Sequence, residues 1–159
     1  MKILVTGGSG FLGSHIVDKL ILDNHEVIVF DQTKSPHTNE KAAFVEGNIN
    51  DEDAVNSVAS GCDVIYHFAA IADIDKALSD PVKTLQVNVM GTLNILKAAH
   101  EQNVKRFIFA SSIYVYSNKG AFYRTSKRTC EQLIEDYGTE FGLNYTILRF
   151  GSLYGPRAD

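Results

Sequence analysis

The chain has 159 residues, of which 45% are apolar and 21% charged, with a formal net charge of −4 at pH 7. These values exclude a disordered or fibrous protein, and we expect residues 1–159 to form a single domain. The acidic balance argues against nucleic acid and anionic membranes as partners, because both require clustered positive charge. No apolar run approaches the roughly 18 residues of a membrane span, and no signal peptide is evident, so we expect a cytoplasmic protein.

Apolar runs alternate with segments of helical period along the whole chain. Six strands are predicted, at residues 2–6, 26–30, 43–45, 63–68, 106–110 and 144–148. Helices are predicted at residues 11–22, over about two turns from Asp51, from Pro81 to about Gln102, and from about Tyr123 to Phe141. Gly142 is expected to end the last helix in a left-handed conformation.

Several of the predicted strands are continuous runs of Val, Ile and Phe without polar alternation. Strands that are buried on both faces have this pattern, which indicates a parallel sheet with helices on each side. The alternation of strands and helices therefore predicts an α/β fold, a doubly wound parallel sheet in the order 3-2-1-4-5-6.

A glycine-rich segment, TGGSGFLG at residues 6–13, joins the first strand to the first helix. A pyrophosphate binds backbone N–H groups at a helix N-terminus, where side chains must not intervene. Gly7 and Gly10 would form the tight turn, and Gly13 would allow close packing of the helix on the strand. The alternative is an ordinary glycine-rich turn, but the strand before it and the helix after it favour a dinucleotide site.

Asp31 closes the second strand, 18 residues after Gly13. A carboxylate at this position can accept hydrogen bonds from both ribose hydroxyls of an adenosine, and it would repel the 2′-phosphate of NADP. The predicted cofactor is therefore NAD. The positive charge of Lys34, which lies nearby in the sequence, would weaken the preference for NAD over NADP. The alternative interpretation of Asp31 is a solvated turn residue.

Ser111 and Ser112 follow the fifth strand, at the carboxyl edge where ligand sites of such sheets lie. Tyr123 and Lys127 are four residues apart and share one face of the next helix. An ammonium one turn from a phenol favours the phenolate, so we expect a lowered pKa for Tyr123. Serine, tyrosine and lysine together can transfer a proton beside a nicotinamide. Taken alone, a Tyr-x-x-x-Lys pair is more often an ordinary helix pair.

Neither the two cysteines nor the five histidines have the spacing of a metal site, and no metal is predicted. Cys62 and Cys130 are expected to be reduced, and to be small buried or half-buried residues. His67, at the end of the fourth predicted strand, is expected to pack in the core and not to catalyse.

Five motifs occur in a fixed order: TGGSGFLG (6–13), HFAA (67–70), NVMGT (88–92), FIFASS (107–112) and the pair Tyr123 and Lys127. Together they resemble the extended short-chain dehydrogenase/reductases, specifically the NAD-dependent epimerase/dehydratase family that acts on nucleotide sugars. The resemblance runs from the first strand to RFGSLYGP (149–156) and implies a Rossmann domain that binds NAD. It also favours a functional role for Tyr123 and Lys127.

The resemblance implies a role for individual residues of this chain. Ser112 would hold the substrate oxygen, Tyr123 would be the acid/base, and Lys127 would bind the nicotinamide ribose and tune Tyr123. The remaining cofactor contacts would come from Gly7, Gly10, Phe11, Leu12, Gly13, Asp31, Asn48, Ile49, Phe68, Ala69 and Ala70, with Asn48 and Ile49 against the adenine. Asn88 would hold structure and a water near the lysine, or would simply bond helix backbone.

The residues after Ser112 narrow the expected chemistry. Sugar-nucleotide dehydratases of this family carry an Asp-Glu pair there, and decarboxylases usually carry a glutamate, whereas this chain has Ile113 and Tyr114. The resemblance therefore implies plain hydride chemistry on a UDP- or dTDP-linked sugar, either 4-epimerisation or a one-way oxidation or reduction.

Two features depart from the family pattern. Only ten residues separate Ser112 from Tyr123, too few for the segment that roofs the site in relatives. Relatives are also about twice as long, so we expect the substrate-binding lobe to be absent. Without this lobe, water is not excluded from the site and the sugar is poorly positioned, and both effects lower the reaction rate. The alternatives to an active enzyme are therefore a non-catalytic NAD-binding module and one piece of a split enzyme.

The resemblance also implies a homodimer. Relatives pair through the helix after Pro81 and the helix that carries Tyr123. The apolar residues that would divide between the core and such an interface are Val82, Leu85, Val87, Val89, Leu93 and Leu133, and the sequence does not assign them.

Overall fold

A six-stranded parallel sheet forms the centre of the structure, a computed structural model that describes residues 1–158. The strand order is β3-β2-β1-β4-β5-β6, and each neighbouring pair is parallel. The strands are β1 (Lys2–Thr6), β2 (Glu26–Asp31), β3 (Ala43–Glu46), β4 (Val64–His67), β5 (Arg106–Ser112) and β6 (Tyr145–Phe150). The predicted α/β fold and strand order are therefore confirmed.

Six α-helices connect and cover the strands. They are α1 (Phe11–Leu22), α2 (Glu52–Ala59), α3 (Ile74–Ser79), α4 (Pro81–Leu85), α5 (Gly91–Glu101) and α6 (Ala121–Phe141). Local chemistry sets their ends: the Asp51 carboxylate accepts from the Ala54 amide at the start of α2. At the end of α6, Gly142 has φ +70°, the left-handed conformation that the sequence predicted.

The predicted helix from Pro81 to about Gln102 is confirmed as an unbroken helical run over residues 81–101, in which a π-helical turn, Gln86–Met90, joins α4 to α5. The short helix α3, which precedes this run, was not predicted. Because α3 has six residues and buries only Ala77, it gives no apolar period to detect. Its capping residue Asp73 accepts from the amides of Asp75 and Lys76. An aspartate is a common residue at the start of a helix, so Asp73 was the one signal of α3 in the sequence.

The two faces of the sheet are covered unequally. On one face, side chains of α2, α5 and α6 pack on Phe30, Phe107 and Phe109, each at most 1% exposed. On the other face, α1 packs on Val5, Val27 and Val29, and the side chains of Tyr66, Phe68 and Ile108 remain half-buried. Truncating a fully buried phenylalanine of the first face is expected to cost about 3–5 kcal/mol.

The candidate interface residues divide between core and surface. Val87, Val89 and Leu133 pack against the core, and Leu93 is half-buried. Val82 is 78% exposed and Leu85 36% exposed, so these two remain available to a partner. The homodimer stays a prediction.

Two further sequence predictions concern the core and the membrane. Cys62 and Cys130 are buried free thiols, as expected. Across residues 1–158, none of the helices combines the length and the apolar character that crossing a membrane requires.

Candidate functional site

A cleft of about 660 Å³ opens at the carboxyl edge of β1, β2 and β4. It lies where ligands bind in open α/β sheets. Seven of the predicted cofactor-binding residues line it: Gly7, Gly10, Asp31, Ile49, Phe68, Ala69 and Ala70. The fold thus brings together residues from the carboxyl ends of four strands, β1 to β4.

Glycines make the floor of this cleft from bare backbone. Gly7 has φ +70°, and a Cβ there would lie 2.5 Å from the Ala69 nitrogen. A Cβ on Gly13 would lie 2.2 Å from the Gly7 oxygen, so the first turn of α1 packs directly on the loop. Gly10 precedes α1 and has no side chain to cap it, which leaves the first-turn amides of Phe11 and Leu12 for a ligand.

Ser9 and Asp31 are two of the polar residues that line the cleft. The Ser9 amide donates to Asp31 Oδ2 at 3.0 Å, and the Gln32 amide donates to Oδ1 at 2.8 Å. A carboxylate has about four acceptor sites, so two bonds leave capacity for ribose hydroxyls. The Ser9 hydroxyl is buried without a hydrogen-bond partner among residues 1–158, which fits a site made for a phosphate oxygen. On both counts the residues present fit a dinucleotide.

Lys76 and Lys83 also line the cleft, although neither was predicted to bind a cofactor. Lys76 lies on α3, which was not predicted, and Lys83 lies on α4, the start of the helix predicted from Pro81. Their ammonium groups add positive charge near the glycine loop. The detectable signals were the caps Asp73 and Asp80, each of which accepts from backbone amides at a helix start.

The two residues predicted against the adenine have different positions. Ile49 lines the cleft and is wedged against α5, since a Cβ on Gly91 would lie 2.5 Å from its Cδ1. Asn48 is exposed and is not part of the cleft wall. Its side chain accepts from the Asn50 amide at 2.9 Å, so here it stabilises a turn.

Ser112, Tyr123 and Lys127, named the trio below, meet at the carboxyl end of β5. Ser112 is 6% exposed, and its Oγ accepts from the Tyr114 amide at 3.2 Å. Lys127 Nζ lies 5.8 Å from the centre of the Tyr123 ring, as the four-residue spacing predicted. Lys127 Nζ donates to the Ala110 carbonyl oxygen at 2.7 Å.

The predicted lowering of the Tyr123 pKa is wrong for this structure. Burial raises the pKa of Tyr123, and the neighbouring Ser112 hydroxyl only partly opposes this effect. The charge of Lys127 does not reverse the shift, because Nζ is directed to the Ala110 oxygen and not to the phenol. Burial also lowers the pKa of Lys127 to about 8, so the ammonium is retained at neutral pH.

Asn88 lies in the π-helical turn and ties three segments together. Its Nδ2 donates to the Ile71 oxygen and to Ser126 Oγ, both at 3.0 Å, while its Oδ1 accepts from the Ile71 amide at 2.7 Å. Asn88 therefore joins α6 to the loop after β4, next to the Ala69–Ala70 side of the cleft, and does not bond its own helix.

His67 is packed in the core, as expected. It is 1% exposed and lies between the hydroxyls of Thr6, at 2.6 Å, and Thr92, at 2.9 Å. Burial lowers the pKa of His67 to about 3, so the ring is neutral. Within residues 1–158, no three His, Cys, Asp or Glu side chains are grouped as a metal site.

Comparison with known proteins agrees with this geometry. The crystal structure of the UDP-glucose 4-epimerase of Thermotoga maritima with UDP-glucose superposes with a TM-score of 0.94 and 35% identity, covering 100% of this chain and 58% of that one. The Thermus thermophilus UDP-glucose 4-epimerase in complex with NAD gives a TM-score of 0.91 and 32% identity, covering 100% and 58%. UDP-glucuronic acid decarboxylase 1 of Arabidopsis thaliana is 36% identical over 99% of this chain and 41% of its own length.

The chain spans about half the length of the curated relatives it matches. It covers 41% of the Arabidopsis thaliana decarboxylase and 57% of a putative UDP-glucose 4-epimerase of Methanocaldococcus jannaschii. The sequence model of the NAD-dependent epimerase/dehydratase family matches residues 3–159. Fold, strand order and sequence thus lead to one assignment: the chain belongs to the NAD-dependent epimerase/dehydratase family.

Proposed function

We propose that this chain binds NAD and uses it for hydride transfer on a nucleotide sugar, as an epimerase or oxidoreductase. The observation that carries the proposal is the position of two features on one sheet edge. The glycine-floored cleft follows β1, β2 and β4, and the trio follows β5.

The cleft supplies the cofactor contacts. Backbone amides of the loop that ends at Gly13 would hold the pyrophosphate, and Asp31 would accept from the adenosine ribose. Phe68, Ala69 and Ala70 would line the remaining wall. A carboxylate at residue 31 repels a 2′-phosphate, which favours NAD over NADP. NAD supplies the hydride acceptor when it is bound.

The trio supplies proton transfer. Ser112 Oγ would donate to the substrate oxygen, and Tyr123 would take the proton from the sugar hydroxyl. The Lys127 ammonium would need to turn from the Ala110 oxygen toward Tyr123, where its charge would favour the phenolate. We propose this rearrangement because Nζ bonds the Ala110 oxygen while burial raises the pKa of Tyr123.

The residues beyond Ser112 limit the reaction class. Ile113 is 50% exposed, and Tyr114 packs edge-on against Tyr123 with ring centres 6.3 Å apart. Neither side chain forms the acid/base pair that water elimination requires. We therefore propose a reaction without elimination, on a UDP- or dTDP-linked sugar.

A second candidate is an NAD-binding module without catalysis, alone or as one part of a split enzyme. It is favoured by the short segment between Ser112 and Tyr123, whose ten residues are too few to roof the site as in relatives. The two candidates share the cofactor site and differ in turnover.

We further propose a homodimer that uses the exposed Val82 and Leu85, and a cytoplasmic location consistent with buried free thiols.

Calorimetry with NAD, followed by a panel of UDP- and dTDP-sugars, tests the proposal. We expect NAD to bind, and we expect an epimer or keto-sugar product that a Tyr123→Phe variant does not form. NAD binding without product from any sugar would support the module, and a folded protein that binds no NAD would contradict both candidates.

A further inference from the structure

We propose that Glu131 is a positioning residue for the trio, acting through Ser111 on one side and through Lys127 on the other. The inference rests on the proposed function, because it concerns how the same site is held and charged. Glu131 lies one helical turn after Lys127 on α6. Within residues 1–158, these two are the acidic residue and the lysine that are buried, at 7% and 4% exposed.

Both oxygens of the Glu131 carboxylate are engaged. Ser111 Oγ donates to Oε1 at 2.5 Å, Arg149 Nε donates to Oε1 at 3.0 Å, and Arg149 Nη2 donates to Oε2 at 2.8 Å. A two-point contact with a guanidinium fixes the plane of a carboxylate as well as its position. Glu131 therefore binds α6 to the carboxyl ends of β5 and β6 at one point.

The contacts continue past Ser112. The Arg149 guanidinium lies 4.9 Å from the centre of the Tyr116 ring, and its Nη1 donates to the Tyr116 hydroxyl. Tyr116 ends the short 3₁₀ turn, Ile113–Tyr116, that begins directly after Ser112. Ser112 is thus held from both directions along the chain, by Ser111 before it and by Tyr116 after it, while its own hydroxyl remains outside the network.

The charge of Glu131 also reaches Lys127. The Lys127 ammonium lies 4.6 Å from the centre of the Phe109 ring and bonds the Ala110 oxygen on β5. The titratable groups around it are His67 on β4, Tyr123, Cys130 and Glu131 on α6, and Arg149 on β6 beyond Glu131.

Three of these groups are neutral at pH 7. Burial lowers the pKa of His67 to about 3 and raises the pKa of Cys130 and of Tyr123. Glu131 is ionised, since hydrogen bonds from Arg149 and Ser111 outweigh its burial and lower its pKa. Its carboxylate is therefore the formal negative charge that favours the Lys127 ammonium.

The test is a titration of Lys127 that needs neither cofactor nor substrate. In protein labelled with ¹³C-lysine, the Lys127 Cε resonance is assigned by its loss in Lys127→Met and followed against pH. We expect its midpoint to fall by roughly one pH unit in Glu131→Gln, the scale for losing an opposite charge one helical turn away. An unchanged midpoint in a folded Glu131→Gln protein overturns the proposal.

Arg149→Met is the matched control, because it breaks the same ion pair and keeps the carboxylate. We expect no fall of the Lys127 midpoint in this variant. An equal fall in both variants would mean that loosened packing is the cause, and it would also overturn the proposal.

Ser111→Ala decides the question if Glu131→Gln does not fold. It removes one hydroxyl and keeps the ion pair, and we expect amide hydrogen exchange over residues 111–116 to accelerate several-fold without change elsewhere. Unchanged exchange there contradicts the positioning role. These readouts are separate from NAD binding, so failure of the proposed function leaves them interpretable.

Discussion

The cleft and the trio lie on one sheet edge but are built by different physical means. The cleft is made of backbone shape: Gly7 and Gly13 leave no room for a Cβ atom, and most of its predicted contacts are amides. The trio is made of buried side-chain charge, with Lys127 only 4% exposed and its pKa lowered to about 8. The first region is therefore sensitive to added atoms and the second to altered charge.

The largest effect is expected from an added methyl group in the cleft. In Gly13→Ala the new Cβ would meet the Gly7 oxygen at 2.2 Å, so the loop must shift and NAD binding is lost. Gly151→Ala is the control, since Gly151 lies outside the cleft and its Cβ would lie 3.9 Å from Ile113 Cδ1, an ordinary contact. Thermal unfolding and calorimetry of both variants check this; wild-type NAD affinity in Gly13→Ala would contradict the account.

Asp31 is the carboxylate of the cleft that would bind the adenosine ribose. In Asp31→Asn we expect NAD affinity to fall about 10- to 100-fold and the preference over NADP to shrink, because hydrogen bonds to a charged acceptor are lost. Asp23→Asn, at an exposed carboxylate after α1, is the matched control. Retained preference for NAD in Asp31→Asn would place the selectivity elsewhere.

The buried ammonium of Lys127 is expected to lower the unfolding free energy of the protein while being required for turnover. Replacing a buried ammonium by an apolar chain of similar length should raise the unfolding free energy of Lys127→Met by about 1–3 kcal/mol at pH 7 while abolishing turnover. Because the folded pKa is lowered from 10.5 to about 8, the unfolded chain binds the extra proton between these values. Wild-type stability should therefore gain from this group as pH rises through that window, a gain that denaturant titrations of the variant should lack.

Protonation of His67 is expected to lower the free energy of unfolding at acid pH without changing the cofactor site. Its pKa is lowered from 6.5 to about 3, so the unfolded state binds one more proton than the folded state between these values. The folded state should lose about 1.4 kcal/mol per pH unit from this group as pH falls below about 6.5. Urea unfolding at several pH values should show a slope smaller by about one proton in His67→Gln, and an equal slope would contradict the neutral, packed assignment.

Lys76 and Lys83 should give the smallest effect. Each is exposed, so Lys76→Ala or Lys83→Ala is expected to weaken NAD binding only two- to fivefold, and less at high salt. Calorimetry at two ionic strengths measures this, with Lys41→Ala as a control on the surface before β3. An effect that persists in high salt would indicate a direct, desolvated contact.

Much of the fold and half of the site follow from local pattern. The order of strands and the positions of Gly7, Asp31 and Phe68 were predictable, because a parallel sheet aligns the carboxyl ends of its strands. The position of Lys76 was not, since α3 is too short to give an apolar period. Lys83 lies on a helix that was predicted, but helical period alone does not show that Lys83 borders the cleft. The network around Glu131 joins residues 18 and 20 positions apart, and no local pattern encodes such contacts.

The direction of the Tyr123 pKa shift failed for a related reason. Helical spacing correctly brought Lys127 near the ring, but the outcome depends on burial and on the Ala110 oxygen, which belongs to another element. Spacing predicts which groups meet, whereas the balance between desolvation and charge requires the packed structure.

Calorimetric titration of the folded 159-residue chain with NAD and with NADP tests the central claim most directly. The account predicts binding of one NAD per chain, with NADP weaker by at least about tenfold because of Asp31. A chain with an intact thermal transition that binds neither nucleotide, or that prefers NADP, would contradict it.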